Sequence, residues 1–191
     1  MNIASIRRGI DNVKKLHILI AVGFAFSVVV SPLIASKVFA AAMTQVEVRF
    51  DRMKTSTATT GTVCAKPTST ATEASVRVTF PPNYSLGAFG TFTVSTTNLD
   101  WPTGGTAWPS ITAPAGAGDI TGQTVTFGSG DLTAGTLYCF NWTNSAAVTT
   151  DSSANATNAG SVATYDSGPA LIDTGEYSTA TITDDQIVVS A

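Results

Sequence analysis

Val46, Val48 and Phe50 alternate with Glu47 and Arg49, and Val76, Val78 and Phe80 alternate with Arg77 and Thr79. A period of two puts successive side chains on opposite faces, so each run predicts a strand with one face buried and the other solvated. Past residue 40 no comparable window carries a helical apolar stripe, and Thr, Val, Phe and Tyr dominate the stretches between glycines and prolines. That is strand composition with turn punctuation. Further strands are expected over 61–65, 91–95, 124–127, 137–143, 162–165, 177–183 and 187–190, with Asp184-Asp185 turning between the last two. The Ser/Ala/Asn/Thr-rich stretch 144–160 reads as a mobile loop. The pattern predicts an all-β domain, an antiparallel sandwich of about 8–9 strands.

The start of the chain sets the compartment. Arg7, Arg8, Lys14 and Lys15 precede an almost wholly apolar stretch, 16–34, and Val38-Phe39-Ala40 follows with small residues where a signal peptidase reads. This predicts a signal peptide over 1–40, or a membrane anchor if it is never cut, and a single domain over 41–191. Pro32 and Lys37 favour cleavage, and the expected location is extracellular or at the cell surface. Residues 41–191 then hold five basic residues against twelve acidic ones, a formal charge of −7, with no Lys or Arg beyond Arg77. A surface of that sign repels phosphate backbones, so nucleic acid is excluded as a partner and a membrane is met only through an uncleaved leader.

Cleavage also removes His17, the one histidine. Ser-His-Asp and Cys-His catalysis and histidine-based zinc sites are therefore outside the inventory. Cys64 and Cys139 are the two cysteines, and in an oxidising compartment they are expected to pair. A free nucleophilic thiol would need a base that the exported chain lacks. Glu47 and Glu73 fall at polar positions of strands or their edges and read as solvated, which leaves no assigned carboxylate pair for glycoside hydrolysis. The expectation is a protein that is not an enzyme and takes no cofactor.

The stretch Tyr138-Cys139-Phe140-Asn141-Trp142 holds three aromatic rings at period two. Burying them on one face of a strand leaves Leu137, Cys139 and Asn141 on the other, whereas the reverse would put an amide in the core and three rings in water. Tyr138, Phe140 and Trp142 are accordingly assigned to the core, with Leu132 just before them.

The run Leu132-Thr133-Ala134-Gly135-Thr136-Leu137-Tyr138 resembles the L-x-P-x-T-x-Y corner of fibronectin type III and related immunoglobulin-like domains, in which the tyrosine hydroxyl reaches back to the backbone. Ser75-Val76-Arg77-Val78-Thr79-Phe80-Pro81-Pro82 is similar to their second strand, with Phe80 where a tryptophan is usual. Ala134 stands in place of the proline, and Tyr138 lies one residue before Cys139 where immunoglobulins have two. The resemblance implies an immunoglobulin-like sandwich, while the departure at Tyr138-Cys139 puts Cys139 on the face opposite the tyrosine and so predicts a bridge that staples neighbouring strands or a loop on the outer side, not the two sheets across the core. The whole arrangement also resembles uncharacterised secreted surface proteins of uncultured small-genome bacteria, which implies a location and no chemistry.

Residues 98–118 contain two Trp-Pro pairs, at Trp101 and Trp108, in a loop rich in Gly, Thr and Pro. The rings either stack on sugars from an exposed rim, as in carbohydrate-binding modules, or fold down to cap an end of the sandwich. Asp166, Asp173, Asp184 and Asp185, with Glu176, are the residues that would supply oxygen ligands were calcium to bind; no metal site is assigned. The expected function is a secreted or cell-surface structural or interaction protein that self-associates by adding a terminal strand to a neighbour's sheet, its partners being further copies or other surface proteins. The alternative is an adhesin-like module that binds a glycan through Trp101 and Trp108.

Overall fold

A computed structural model of the chain describes residues 40–99 and 101–184. The expected leader, Asp185 and the strand expected at 187–190 lie outside them, and residues from Ala40 onward form a compact unit of their own.

In chain order the strands are β1 (Ala41–Ala42), β2 (Gln45–Phe50), β3 (Ala58–Thr59), β4 (Gly61–Lys66), β5 (Ser75–Thr79), β6 (Ser85–Leu86), β7 (Val94–Ser95), β8 (Thr106–Ala107), β9 (Ile120–Thr121), β10 (Thr124–Gly128), β11 (Tyr138–Trp142), β12 (Val148–Thr149), β13 (Asn155–Tyr165) and β14 (Leu171–Thr181). One sheet runs β1-β14-β13-β5-β10-β9, a second runs β2-β4-β11-β7 with β8 also on β11, and a small third runs β3-β12-β6. The all-β expectation holds. The sheets are mixed and not purely antiparallel, because β1 lies parallel to β14 and β8 parallel to β11. There are also more strands than expected. Seven have five or more residues, and the rest are two-residue pairings too short to leave a periodic signature.

Where the sequence alternates, the structure follows. Val76 and Val78 on β5 and Val125 and Phe127 on β10 point inward, with Ser75, Arg77, Thr79, Thr124 and Thr126 between them. β4 departs from this, since its first five residues are buried on both faces. The stretch read as a loop over 144–160 corrects the expectation most. It contains a short 3₁₀ turn (Ser145–Ala147), β12 and the first half of β13, with Ala147, Val148 and Asn158 all buried. Polar, small residues hold that strand because its ladder to β14 supplies the bonds and Asn158 Nδ2 donates to Thr181 Oγ1 at 2.8 Å.

The two larger sheets share one core. Tyr138, Phe140 and Trp142 enter it from β11, and Leu132 is buried beside them. Phe140 meets Phe127 of the other sheet at 5.1 Å between ring centroids, and Trp142 meets Phe50 and Phe80 edge-on at 5.4 and 5.7 Å. Such tilted and edge-to-face contacts suit the ring quadrupoles and add to area burial. Two of the buried rings also use their polar handles: the Trp142 indole N–H donates to the Thr59 carbonyl (3.0 Å), and the Tyr177 hydroxyl donates to the Thr79 carbonyl (3.1 Å). Gly160 sits under the Tyr177 ring, where a Cβ would collide with both that ring and the Thr79 carbonyl.

Cys64 and Cys139 form the disulfide, directly opposite each other on β4 and β11 with Cα atoms 4.2 Å apart. The bridge staples neighbouring strands within one sheet, on the face away from the aromatic core. It closes a 75-residue separation, for which restriction of the unfolded chain contributes about 4–5 kcal/mol. Replacing both cysteines with alanine is expected to lower the unfolding free energy by about that amount, read as a lower urea midpoint for a variant that keeps its far-UV spectrum. A midpoint equal to the parent's would show that the bridge contributes nothing.

Candidate functional site

The candidate ligand residues were the two tryptophans and the aspartates that would serve calcium, and the structure separates the members of each set. The two tryptophans go to different environments. Trp108 is 2% exposed, its ring packs on Phe140 and Tyr138, and its indole N–H donates to Ser129 Oγ at 2.8 Å. It presents no face to a ligand, so the expectation that Trp108 binds a glycan gives way to the alternative in which its ring folds down into the core. Trp101 is 37% exposed and lies across the outer face of the second sheet, with the Arg49 guanidinium 5.6 Å from its ring.

That outer face is built by strand parity. Arg49, Thr62, Asn141 and Ser95 form one row across β2, β4, β11 and β7, and Glu47, Cys64 and Cys139 form the next. The segment between β7 and β8 folds back over both rows. Asn141 Nδ2 donates to the Thr97 carbonyl (3.0 Å), and a Cβ on Gly105 would stand only 2.7 Å from the Cys139 sulfur. The disulfide is consequently fully buried on what the alternation alone would make a solvated face. A groove of about 210 Å³ is lined by Arg49, Asp51, Thr60, Asn141 and Thr143, and Arg49 links it to the Trp101 ring. Arg49 pairs with Asp51 at 3.1 Å, so the cation beside the exposed ring is partly neutralised. Arg49 and Asn141 were not singled out in the sequence, although the same parity that buries Trp142 puts them on this face.

The acidic residues are dispersed. Asp166 Oδ1 accepts from the Gly168 and Ala170 N–H groups, both at 2.8 Å, and shapes the β13–β14 turn. Asp173 is buried and accepts from Thr68 Oγ1 (2.8 Å), the Thr68 N–H (3.3 Å) and the Ser69 N–H (3.2 Å), tying the 67–70 segment to β14. Glu176 and Asp184 are exposed, and Asp185 lies outside the described residues. Among the described residues no three His, Cys, Asp or Glu side chains are gathered as a metal site would need.

Glu73 was expected on a solvated face and is instead 2% exposed. Its Oε2 accepts from the Leu132 N–H at 3.0 Å, while Oε1 meets no donor. Burial pushes its pKa above the usual 4.5, bonds from the Leu132 and Glu73 amides pull it part of the way back, and the neighbouring Asp131 pushes it up again. The partner that buries it stands 59 residues away, so no local pattern signals it.

No protein-family model matches the chain, and no curated protein is similar to it. The functional reading rests on the molecule's own geometry.

Because the folded-state pKa of Glu73 lies above 4.5, the native chain holds more protons than the unfolded chain between 4.5 and that higher value. Its contribution is favourable below 4.5 and is lost as pH rises through the window. Glu73→Gln keeps an acceptor for the Leu132 N–H and removes the charge. The variant is expected to gain stability relative to the parent as pH rises from 4.5 to 7, measured by urea unfolding across that range. A parent–variant difference that does not change with pH would mean that Glu73 does not titrate in this window.

Proposed function

We propose that this chain is an exported, non-enzymatic structural or interaction protein that self-associates by adding a terminal strand of one copy to the open edge of β14 in the next. The observation that carries the reading is the state of that edge. The Met43 N–H donates to the Thr174 carbonyl at 2.9 Å, and Ile182 exchanges bonds with Met53 and Thr55, both at 2.9 Å. Since alternate residues of a strand face the same side, the peptide groups of Glu176, Ser178 and Ala180 face outward between those two anchors. They meet no backbone partner among the described residues. A row of unpaired N–H and C=O groups is a template for another strand. The run Ile187-Val188-Val189-Ser190 has the β-branched composition and the length to fill it.

Two observations support an immunoglobulin- or fibronectin-like class for the fold. The Tyr138 hydroxyl accepts from the Thr133 N–H at 3.2 Å, as the corner resemblance implies, and the inner faces of two sheets form one aromatic core. The buried disulfide suits an oxidising compartment, in keeping with the leader-like start. Light scattering after size exclusion is expected to show oligomers for protein expressed from the whole sequence into an oxidising compartment. Truncation after Asp184, or Ser178→Pro, which removes an outward N–H, is expected to leave a folded monomer. A parent that stays monomeric at high concentration ends this reading.

A second reading is favoured by the exposed face of Trp101 beside its polar groove: glycan binding by ring stacking. Trp108 takes no part in it. Trp101→Ala is expected to abolish retention on neutral glycan columns while leaving the unfolding midpoint within about 0.5 kcal/mol of the parent, as surface substitutions do. Retention unchanged in Trp101→Ala rules the ring out.

A further inference from the structure

The outer face of the six-stranded sheet carries a feature that neither reading uses. Past Glu176, which pairs with Ser161 from β14 and does not line the groove, register across this face brings Thr174, Ala163, Arg77 and Thr126 into one row and Ser161, Thr79, Thr124 and Thr121 into the next. These residues line a groove of about 470 Å³ with Tyr165 at one side, within the range of about 300–1,000 Å³ typical of small-ligand sites. Apart from Arg77, its polar side chains are all hydroxyls. No carboxylate lines it, although residues 41–191 hold twelve acids and five bases.

The contact Arg77 makes within the chain is with an aromatic ring. Its guanidinium lies 3.9 Å from the centroid of the Tyr165 ring, its Nε is buried without a hydrogen-bond partner, and it forms no ion pair among the described residues. A guanidinium held against an aromatic face has already given up much of its rotamer freedom, and its planar fork matches a carboxylate. The hydroxyls beside it are arranged too, since Thr79 Oγ1 and Thr124 Oγ1 share a hydrogen bond at 2.9 Å across the strands. A single positive charge balances a monoanion. The surrounding hydroxyls, which both donate and accept, complement a polyhydroxylated ligand.

We infer that this groove binds a carboxylated saccharide, with Arg77 taking the carboxylate and the flanking threonine and serine hydroxyls taking the sugar. The site lies on a different sheet from Trp101, and although it reaches β14 at Leu171 and Thr174 it does not use the outward peptide groups of Glu176, Ser178 and Ala180, so the inference does not rest on self-association.

The test is calorimetric titration of protein expressed from the whole sequence with galacturonate, glucuronate and mannuronate trimers, a neutral galactose trimer and inorganic phosphate. At least one uronate trimer is expected to bind below 1 mM, more weakly at high salt, with the neutral trimer at least about tenfold weaker. Arg77→Gln is expected to weaken uronate binding by about tenfold or more and Trp101→Ala to leave it unchanged. If Arg77→Gln fails to fold, Thr126→Glu, which sets a carboxylate directly opposite Arg77 on the exposed face, is expected to abolish binding in its place. No uronate binding, equal binding of the neutral trimer or of phosphate, or full binding by the folded Arg77 variant would overturn the inference.

Discussion

The register of β11 against β4 is the constraint on which the rest of the structure depends. It sets Tyr138 opposite Ala65, Phe140 opposite Val63 and Trp142 opposite Gly61, so each large ring faces a smaller residue and the largest ring faces the one residue without a side chain. A Cβ at residue 61 would collide with the Trp142 ring and with the Arg49 carbonyl of the next strand. The same register brings Cys139 opposite Cys64 on the other face. A slip of one residue would turn every ring outward and part the cysteines. The aromatic core and the disulfide therefore specify the same alignment from opposite faces of one strand pair.

The outer side of that pair also explains the long tryptophan loop. Two cysteines on an outer face would leave a disulfide in solvent, yet both are fully buried. The chain between β7 and β8 covers them, pinned by Asn141 at one end and by β8 alongside β11 at the other. Gly105 is needed at the point of closest approach, where any side chain would press on the Cys139 sulfur. A thiol reagent must displace this segment to reach the bridge. Trp108, which follows immediately, turns through the sheet edge into the core, while Trp101 stays above the outer face against Arg49.

How much of this was legible follows from range. Period two in 46–50, 76–80 and 138–142 made β2, β5 and β11 and their inner faces legible, because alternation is a local property and each run has one buried side. The two Trp-Pro pairs are indistinguishable locally. What separates them is an acceptor, Ser129 Oγ, that only the folded chain brings to Trp108. Glu73 was misread for the same reason, since the amide that holds it belongs to Leu132. The first half of β13 escaped notice because its residues are polar or small, and its place is decided by backbone pairing to β14 together with one buried amide, Asn158. Two-residue strands are too short for any pattern.

Charge placement gives the sheet edges their particular character. Proteins commonly blunt an edge strand with lysine, but this chain has no lysine after Lys66 and no cation after Arg77. Protection falls to short pairings instead. On β10, β9 covers Thr124 and Val125, and Thr112 covers Gly128, so little of that edge is left open. On β14, β1 covers Asp173 and Thr174 and residues 53–55 cover Ile182, leaving the stretch between them with Glu176 as its only charge. Threonine makes the same economy possible across the open face of this sheet: its branched Cβ favours the strand, and its hydroxyl keeps the surface wet without a charge. The outcome, among the described residues, is an outer sheet face whose groove is hydroxyl-rich and whose one cation, Arg77, has a buried Nε without a hydrogen-bond partner.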